Sequence, residues 1–172
     1  AAAELLHFRT LLEEYEHAGV LRVVLARAAR SARRTTHFDL EFPQAPQRAP
    51  YWCHKHRRTC RPVEEADKFL GRYLLDTLDR IKAFQRVRDR KRAAEVVHGD
   101  ARNVALPGQF DAVLTSPPYP GLIDYHEQHR YAYELLGLDD RRERERGAAA
   151  RGTSRAAVEE YASGISGVFR RC

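Results

Sequence analysis

Apolar residues recur at helical spacing along much of this chain. Leu5, Phe8, Leu12 and Tyr15 share one face, so a helix is expected from Leu5 to Tyr15. His17-Ala18-Gly19 breaks or bends it, and a second helix runs from Val20 to Arg34, with Val20, Val23, Val24 and Ala28 turned inward. Arg27, Arg30 and Arg34 form a basic stripe on that helix, read as a solvated face. From Thr35 to Arg61 the periodicity lapses, and Pro43, Pro46 and Pro50 punctuate an irregular stretch that is long for a loop inside a compact domain. Pro62 suits a first helical position, followed by Glu64 and Glu65 in the first turn. Phe69, Leu70, Tyr73, Leu74, Leu78, Ile81 and Phe84 then mark the core face of a helix from Pro62 to about Arg92.

The pattern then changes. Glu95-Val96-Val97-His98-Gly99-Asp100 and Phe110-Asp111-Ala112-Val113-Leu114 are short apolar runs bounded by turn residues, and both predict buried strands, with the loop Ala101 to Gln109 between them. Asp124 caps a helix running to Leu136. Asp139 to Arg146 alternates charge as a solvated connector, and Thr153 or Ser154 opens a last helix whose apolar face is Val158, Tyr161, Ile165, Val168 and Phe169. The expected organisation is a helical region, 1–93, with an irregular basic insertion at 35–61, followed by a second region, 94–172.

Composition bounds the rest. The chain has 172 residues, 43% of them apolar, which is enough for one core. No apolar run approaches the ~18 residues that a bilayer span requires, and no secretory signal is visible, so a cytoplasmic protein with no membrane association is expected. There is no methionine, and the chain both starts and stops inside helical patterns, which points to a fragment of a longer protein. Net charge is +6, with an isoelectric point near 9.5. This is compatible with a polyanionic partner. Its weight is reduced because, of the 30 basic residues, only Lys55, Lys68, Lys82 and Lys91 are lysine. So heavy an arginine bias, with abundant alanine, also follows from a GC-rich genome.

Three clusters carry candidate chemistry. Cys53, His56 and Cys60 have spacing suited to zinc, but a structural site normally joins two separated ligand pairs, so no metal is expected here. The same segment, with Tyr51 and Trp52, also reads as a basic contact for nucleic acid. His126 and His129, at i and i+3, are a weak metal pattern and suit a polar helix face equally well. The third cluster is Thr115-Ser116-Pro117-Pro118-Tyr119, at the carboxyl end of an expected strand. Adjacent prolines stiffen a turn and have no N–H, so their carbonyls are pure acceptors. Ser116 adds a hydroxyl and Tyr119 a flat ring. Acceptors beside a stacking surface suit a planar ring bearing an amino group.

The order strand, Gly-Asp, loop, strand, Ser-Pro-Pro-Tyr resembles the DNA amino-methyltransferases. These enzymes methylate exocyclic nitrogens of cytosine or adenine with S-adenosylmethionine, through the motif (Asp/Asn/Ser)-Pro-Pro-(Tyr/Phe/Trp). The resemblance is specific from about Val96 to Leu138. It implies part of an α/β, Rossmann-like methyltransferase fold, with DNA as partner and S-adenosylmethionine as cofactor. Carried over, Ser116 and the Pro117 carbonyl accept the two amino hydrogens, Pro118 completes the rigid turn, and Tyr119 stacks on an extruded base. Asp100 matches a position that contacts the adenine of the cofactor; a turn-capping aspartate is the alternative. Asp111 is expected to hold local backbone only. Serine in the first motif position favours cytosine-N4 over adenine-N6. The family's Gly-x-Gly cofactor loop has no counterpart among the ten glycines, so the remainder of the domain is expected elsewhere, upstream, and this piece alone is expected to be inactive. An RNA base methyltransferase and a noncatalytic nucleic-acid-binding piece centred on Tyr51 to Arg61 are the competing readings.

Overall fold

A computed structural model of the chain describes all residues except 33, 37–44, 107 and 172. Pro43, named above, therefore lies outside the described residues. The elements in order are α1 (Ala2–Leu11), α2 (Ala18–Ser31), β1 (Tyr51–Cys53), β2 (Arg58–Cys60), α3 (Asp67–Val87), α4 (Tyr125–Leu136) and α5 (Arg155–Phe169), with single 3-10 turns at Leu12–Glu14, Arg142–Arg144 and Ala149–Arg151. They form two units, one of Ala1–Arg88 with His126–Asp140, the other of Asp89–Tyr125 with Arg141–Cys172. The chain from His126 to Asp140 falls in the first unit.

The first unit is helical around one core. Leu25, Ala28, Ala29 and Ala32 from α2 and its end pack with Leu5, Leu12, Ala66 and Leu70, while Tyr131, Leu135 and Leu136 of α4 close the edge. Alanines on this face let the helices approach closely. Val24 is buried as expected, but Val20 and Val23 face solvent, because the buried stripe follows Leu25 and Ala28 instead. Two polar contacts bind helix ends. Glu4 accepts from the backbone N–H groups of Ala66 and Asp67 and so caps α3 from a distance; the Ala66 N–H bond above all lowers its pKa. This cap places the start of α3 at Asp67 rather than Pro62. Arg9 donates to the Leu135 carbonyl at 2.9 Å, satisfying the end of α4.

The basic stripe of α2 is not a solvated face. Arg27 donates to Asp76 at 2.7 Å and to Thr77 at 3.3 Å, and its guanidinium lies 4.3 Å over the Tyr73 ring. Arg30 donates to Gln128 at 3.2 Å. Cation–π stacking and a helix-to-helix ion pair thus use positive charge internally. Arg34 lies beyond the helix, which ends at Ser31.

The second half of α3 departs from expectation in the opposite sense. Leu70 is buried, but Leu78, Ile81 and Phe84 are exposed, so the apolar stripe is core only at its N-terminal end. The irregular stretch before α3 contains a hairpin: β1 and β2 pair antiparallel, with Tyr51 opposite Cys60, Trp52 opposite Thr59 and Cys53 opposite Arg58. Arg57 closes its turn in the left-handed region, with φ 50.

The second unit is built around α5, whose N-cap Ser154 accepts from the Ala157 N–H at 3.3 Å. The two strands expected at 95–100 and 110–114 do not form; β1 and β2 are the strands among the described residues. Val96 is 93% exposed and Leu114 fully so. A strand buried on both faces needs hydrogen-bonded neighbours on its flanks and helices over its faces. No described segment supplies either to these runs, so their apolar side chains stay in solvent. Among the described residues no helix is long and apolar enough to cross a membrane.

Candidate active site

The Ser-Pro-Pro-Tyr turn lies in the second unit, where two chain segments hold it in place. Its continuation folds onto residues 146–153: the Gly121 N–H donates to the Gly147 carbonyl at 2.9 Å, and the Ala149 N–H to the Ile123 carbonyl at 3.2 Å. Both glycines adopt positive φ, 71 at Gly121 and 70 at Gly147. A methyl group at Gly147 would come within 3.1 Å of Pro120 Cα and of the Tyr161 ring. The close approach of the two segments therefore depends on absent side chains.

Helix α5 supplies the second support. The Tyr161 hydroxyl donates to the Pro118 carbonyl at 2.5 Å. Glu160, one residue before it, accepts from Arg146 at 2.8 Å and from Arg151 at 2.9 Å, drawing the 146–151 segment against the helix. The second proline's carbonyl is thus committed to structure. Ser116 is exposed, Pro117 is half-buried, and the Tyr119 ring is 57% exposed. Sequence reading missed Tyr161 and the Gly121–Gly147 pair. Their contacts span tens of residues, and no local pattern marks them.

Asp100 occupies the same unit, and Arg102 engages its carboxylate. The Arg102 backbone N–H donates to it at 3.0 Å, Nε at 2.9 Å and Nη2 closer still. The Asp100 carbonyl accepts from the Asn103 and Val104 N–H groups at 2.9 and 2.8 Å. This is the turn-capping arrangement. The Arg102 side chain, more than any other cause, holds the Asp100 carboxyl well below the usual carboxylate range.

His126 and His129 belong to the first unit and have separate surroundings. His126 is buried, with Nε2 3.2 Å from Asp140 Oδ1 and its ring 4.2 Å from that of Tyr133. His129 is on the surface, where partial burial and then the nearby Arg30 charge push its pKa down. Elsewhere in that unit the hairpin brings Cys53, His56 and Cys60 together, with all three ligand atoms within 4.8 Å of one another.

This chain is similar to a methyltransferase. It is 39% identical over 165 residues to the Type II methyltransferase M.MjaII of Methanocaldococcus jannaschii, an alignment covering 87% of this chain. The chain spans 31% of that relative's length. No protein-family model matches the chain, and no solved structure does. The similarity supports, at the level of the enzyme class, the resemblance carried by Thr115-Ser116-Pro117-Pro118-Tyr119. It does not distinguish a cytosine from an adenine target.

Proposed function

We propose that this chain is the catalytic-motif portion of a DNA methyltransferase that modifies an exocyclic amino group, with cytosine N4 as the favoured target. The observation that carries this reading is the turn itself. Tyr161 restrains the Pro118 carbonyl, while Ser116 and Tyr119 stand exposed beside it. Likeness to a Type II methyltransferase over most of the chain supports it.

Ser116 Oγ and the Pro117 carbonyl accept the two hydrogens of the target amine. Accepting both draws the nitrogen lone pair out of conjugation with the base and makes it more nucleophilic. Tyr119 stacks on the extruded base, a contact typically worth ~1–3 kcal/mol, which offsets much of the cost of unstacking. The two prolines and the Tyr161 bond hold the acceptors in place before the base arrives, so little reorganisation accompanies the reaction.

S-adenosylmethionine is the methyl donor in this reading. The described residues do not fit it by themselves. Asp100, the position matched to its adenine, is locked to Arg102, and the adjoining 95–97 segment lies open to solvent rather than in a sheet. The donor site then needs residues other than the described ones, and the Rossmann-like sheet belongs with them.

Nucleoside analysis of DNA treated with the full-length protein and S-adenosylmethionine tests the proposal. N4-methylcytosine is the expected product. N6-methyladenine would overturn the target assignment, and the absence of any methylated base would overturn the activity.

A further inference from the structure

The hairpin of the first unit carries chemistry that methyl transfer does not use. Alternate residues of a strand share a face. In the β1–β2 register Cys53 lies opposite Arg58 and Cys60 opposite Tyr51, so the two cysteines project from the same face, one step diagonal to each other. Both are buried, at 1% and 7% exposure, and no disulfide joins them. The turn between the strands returns His56 over them. Its Nδ1 lies 3.6 Å from Cys53 Sγ and 3.5 Å from Cys60 Sγ.

The two sulfur–nitrogen spacings match those of a tetrahedral metal site. Zinc–sulfur bonds of about 2.3 Å and zinc–nitrogen bonds of about 2.0–2.1 Å, set at the tetrahedral angle, put sulfur and nitrogen about 3.6 Å apart. Both sulfur–nitrogen distances have that value. The spacing Cys53-x-x-His56-x-x-x-Cys60 also falls within the usual range for paired zinc ligands, and a single tight hairpin does here what two separated ligand pairs do elsewhere.

We propose that Cys53, His56 and Cys60 bind one zinc ion that staples the 51–60 hairpin. Both thiols ligate as thiolates, releasing two protons, and His56 ligates as neutral imidazole through Nδ1. The two thiolate charges balance the dication, so the site is neutral. Water or a side chain beyond the described residues fills the fourth position. The staple has a clear physical use, because a two-stranded hairpin with three-residue strands is marginal in isolation. This replaces the expectation from sequence that the segment holds no metal, and it stands independently of the methyl-transfer reading.

Elemental analysis of the purified protein, dialysed against metal-free buffer, should find about one zinc per chain. Cys53→Ser, His56→Ala and Cys60→Ser should each bring zinc to background. Metal-stripped parent protein titrated with cobalt(II) should develop thiolate charge-transfer absorption and the visible bands of tetrahedral cobalt, both abolished by zinc. The cobalt titration needs only the parent, so it decides the question even if a variant fails to fold. Parent protein with no bound zinc and no thiolate–cobalt absorption would overturn the proposal, as would undiminished zinc in the three variants.

Discussion

Gly121→Ala tests how the candidate turn is held. A Cβ at this position would lie 2.5 Å from Thr153 Cγ2 and 2.9 Å from the Gly152 carbonyl oxygen. The threonine methyl can rotate away, but the carbonyl is backbone and moves only with its segment. The residue also has φ 71, and holding an L-residue in the left-handed region costs roughly 1–2 kcal/mol. Overpacking against the 152 carbonyl adds about 1–3 kcal/mol. Reduced freedom of the unfolded chain returns about 0.4–1 kcal/mol. The net local destabilisation is about 1–4.6 kcal/mol, or roughly fivefold to two-thousandfold in an opening equilibrium. Native-state hydrogen exchange reads it directly, through the amide of residue 121, bonded to Gly147, and the amide of Ala149, bonded to Ile123. Gly164→Ala is the matched control in the same unit. It lies within α5 with nothing near its added methyl, so it should stabilise by about 0.5–1 kcal/mol. Unchanged exchange at 121 and 149 in Gly121→Ala, or equal destabilisation by both variants, would refute the packing argument.

Two further outcomes follow from the same unit. Tyr161→Phe removes the donor to Pro118 and should cost about 0.5–1.5 kcal/mol, seen as a lower denaturation midpoint with an unchanged m-value; no change would mean that the bond does not hold the turn. In Arg102→Ala the Asp100 carboxyl should rise toward the usual carboxylate range but stay below it, because the backbone N–H of residue 102 still donates to it, measured by carbon NMR of its carboxyl group. Since the folded pKa is depressed, the stabilisation from this contact is present above the unfolded value and is lost as pH falls through the folded one. An Asp100 that titrates alike in parent and variant would contradict the assigned cause.

The helices were legible because their signals are local. Ser154 at an N-cap and the i, i+3, i+4 series in α2 need no knowledge of the rest of the chain. The strands at 95–100 and 110–114 were misjudged for the converse reason: an apolar run shows that a segment can be buried, but a strand exists only when another strand pairs with it. The β1–β2 hairpin escaped notice among prolines and charges, although Tyr51-Trp52-Cys53 and Arg58-Thr59-Cys60 flank a four-residue turn in a recognisable way. Arg27 was read as solvated because its partner Asp76 lies 49 positions away. At the candidate site, the Ser116–Tyr119 motif was plain from residue types alone. Its support was not: Tyr161 is 43 positions from Pro118, and the roles of Gly121 and Gly147 depend on how closely two loops approach.

The central claim is that the Ser116–Tyr119 turn receives the target base. Single-turnover methyl transfer to DNA by the full-length protein tests it most directly, with donor affinity measured in parallel. Ser116→Ala removes one of two acceptors and should slow transfer about a hundredfold or more, as loss of a transition-state hydrogen bond costs roughly 2.7–4 kcal/mol. Tyr119→Ala should weaken capture of the extruded base while donor affinity stays at the parent value, and duplex binding should persist through phosphate contacts. If both variants transfer methyl groups at the parent rate, this turn is not the active site.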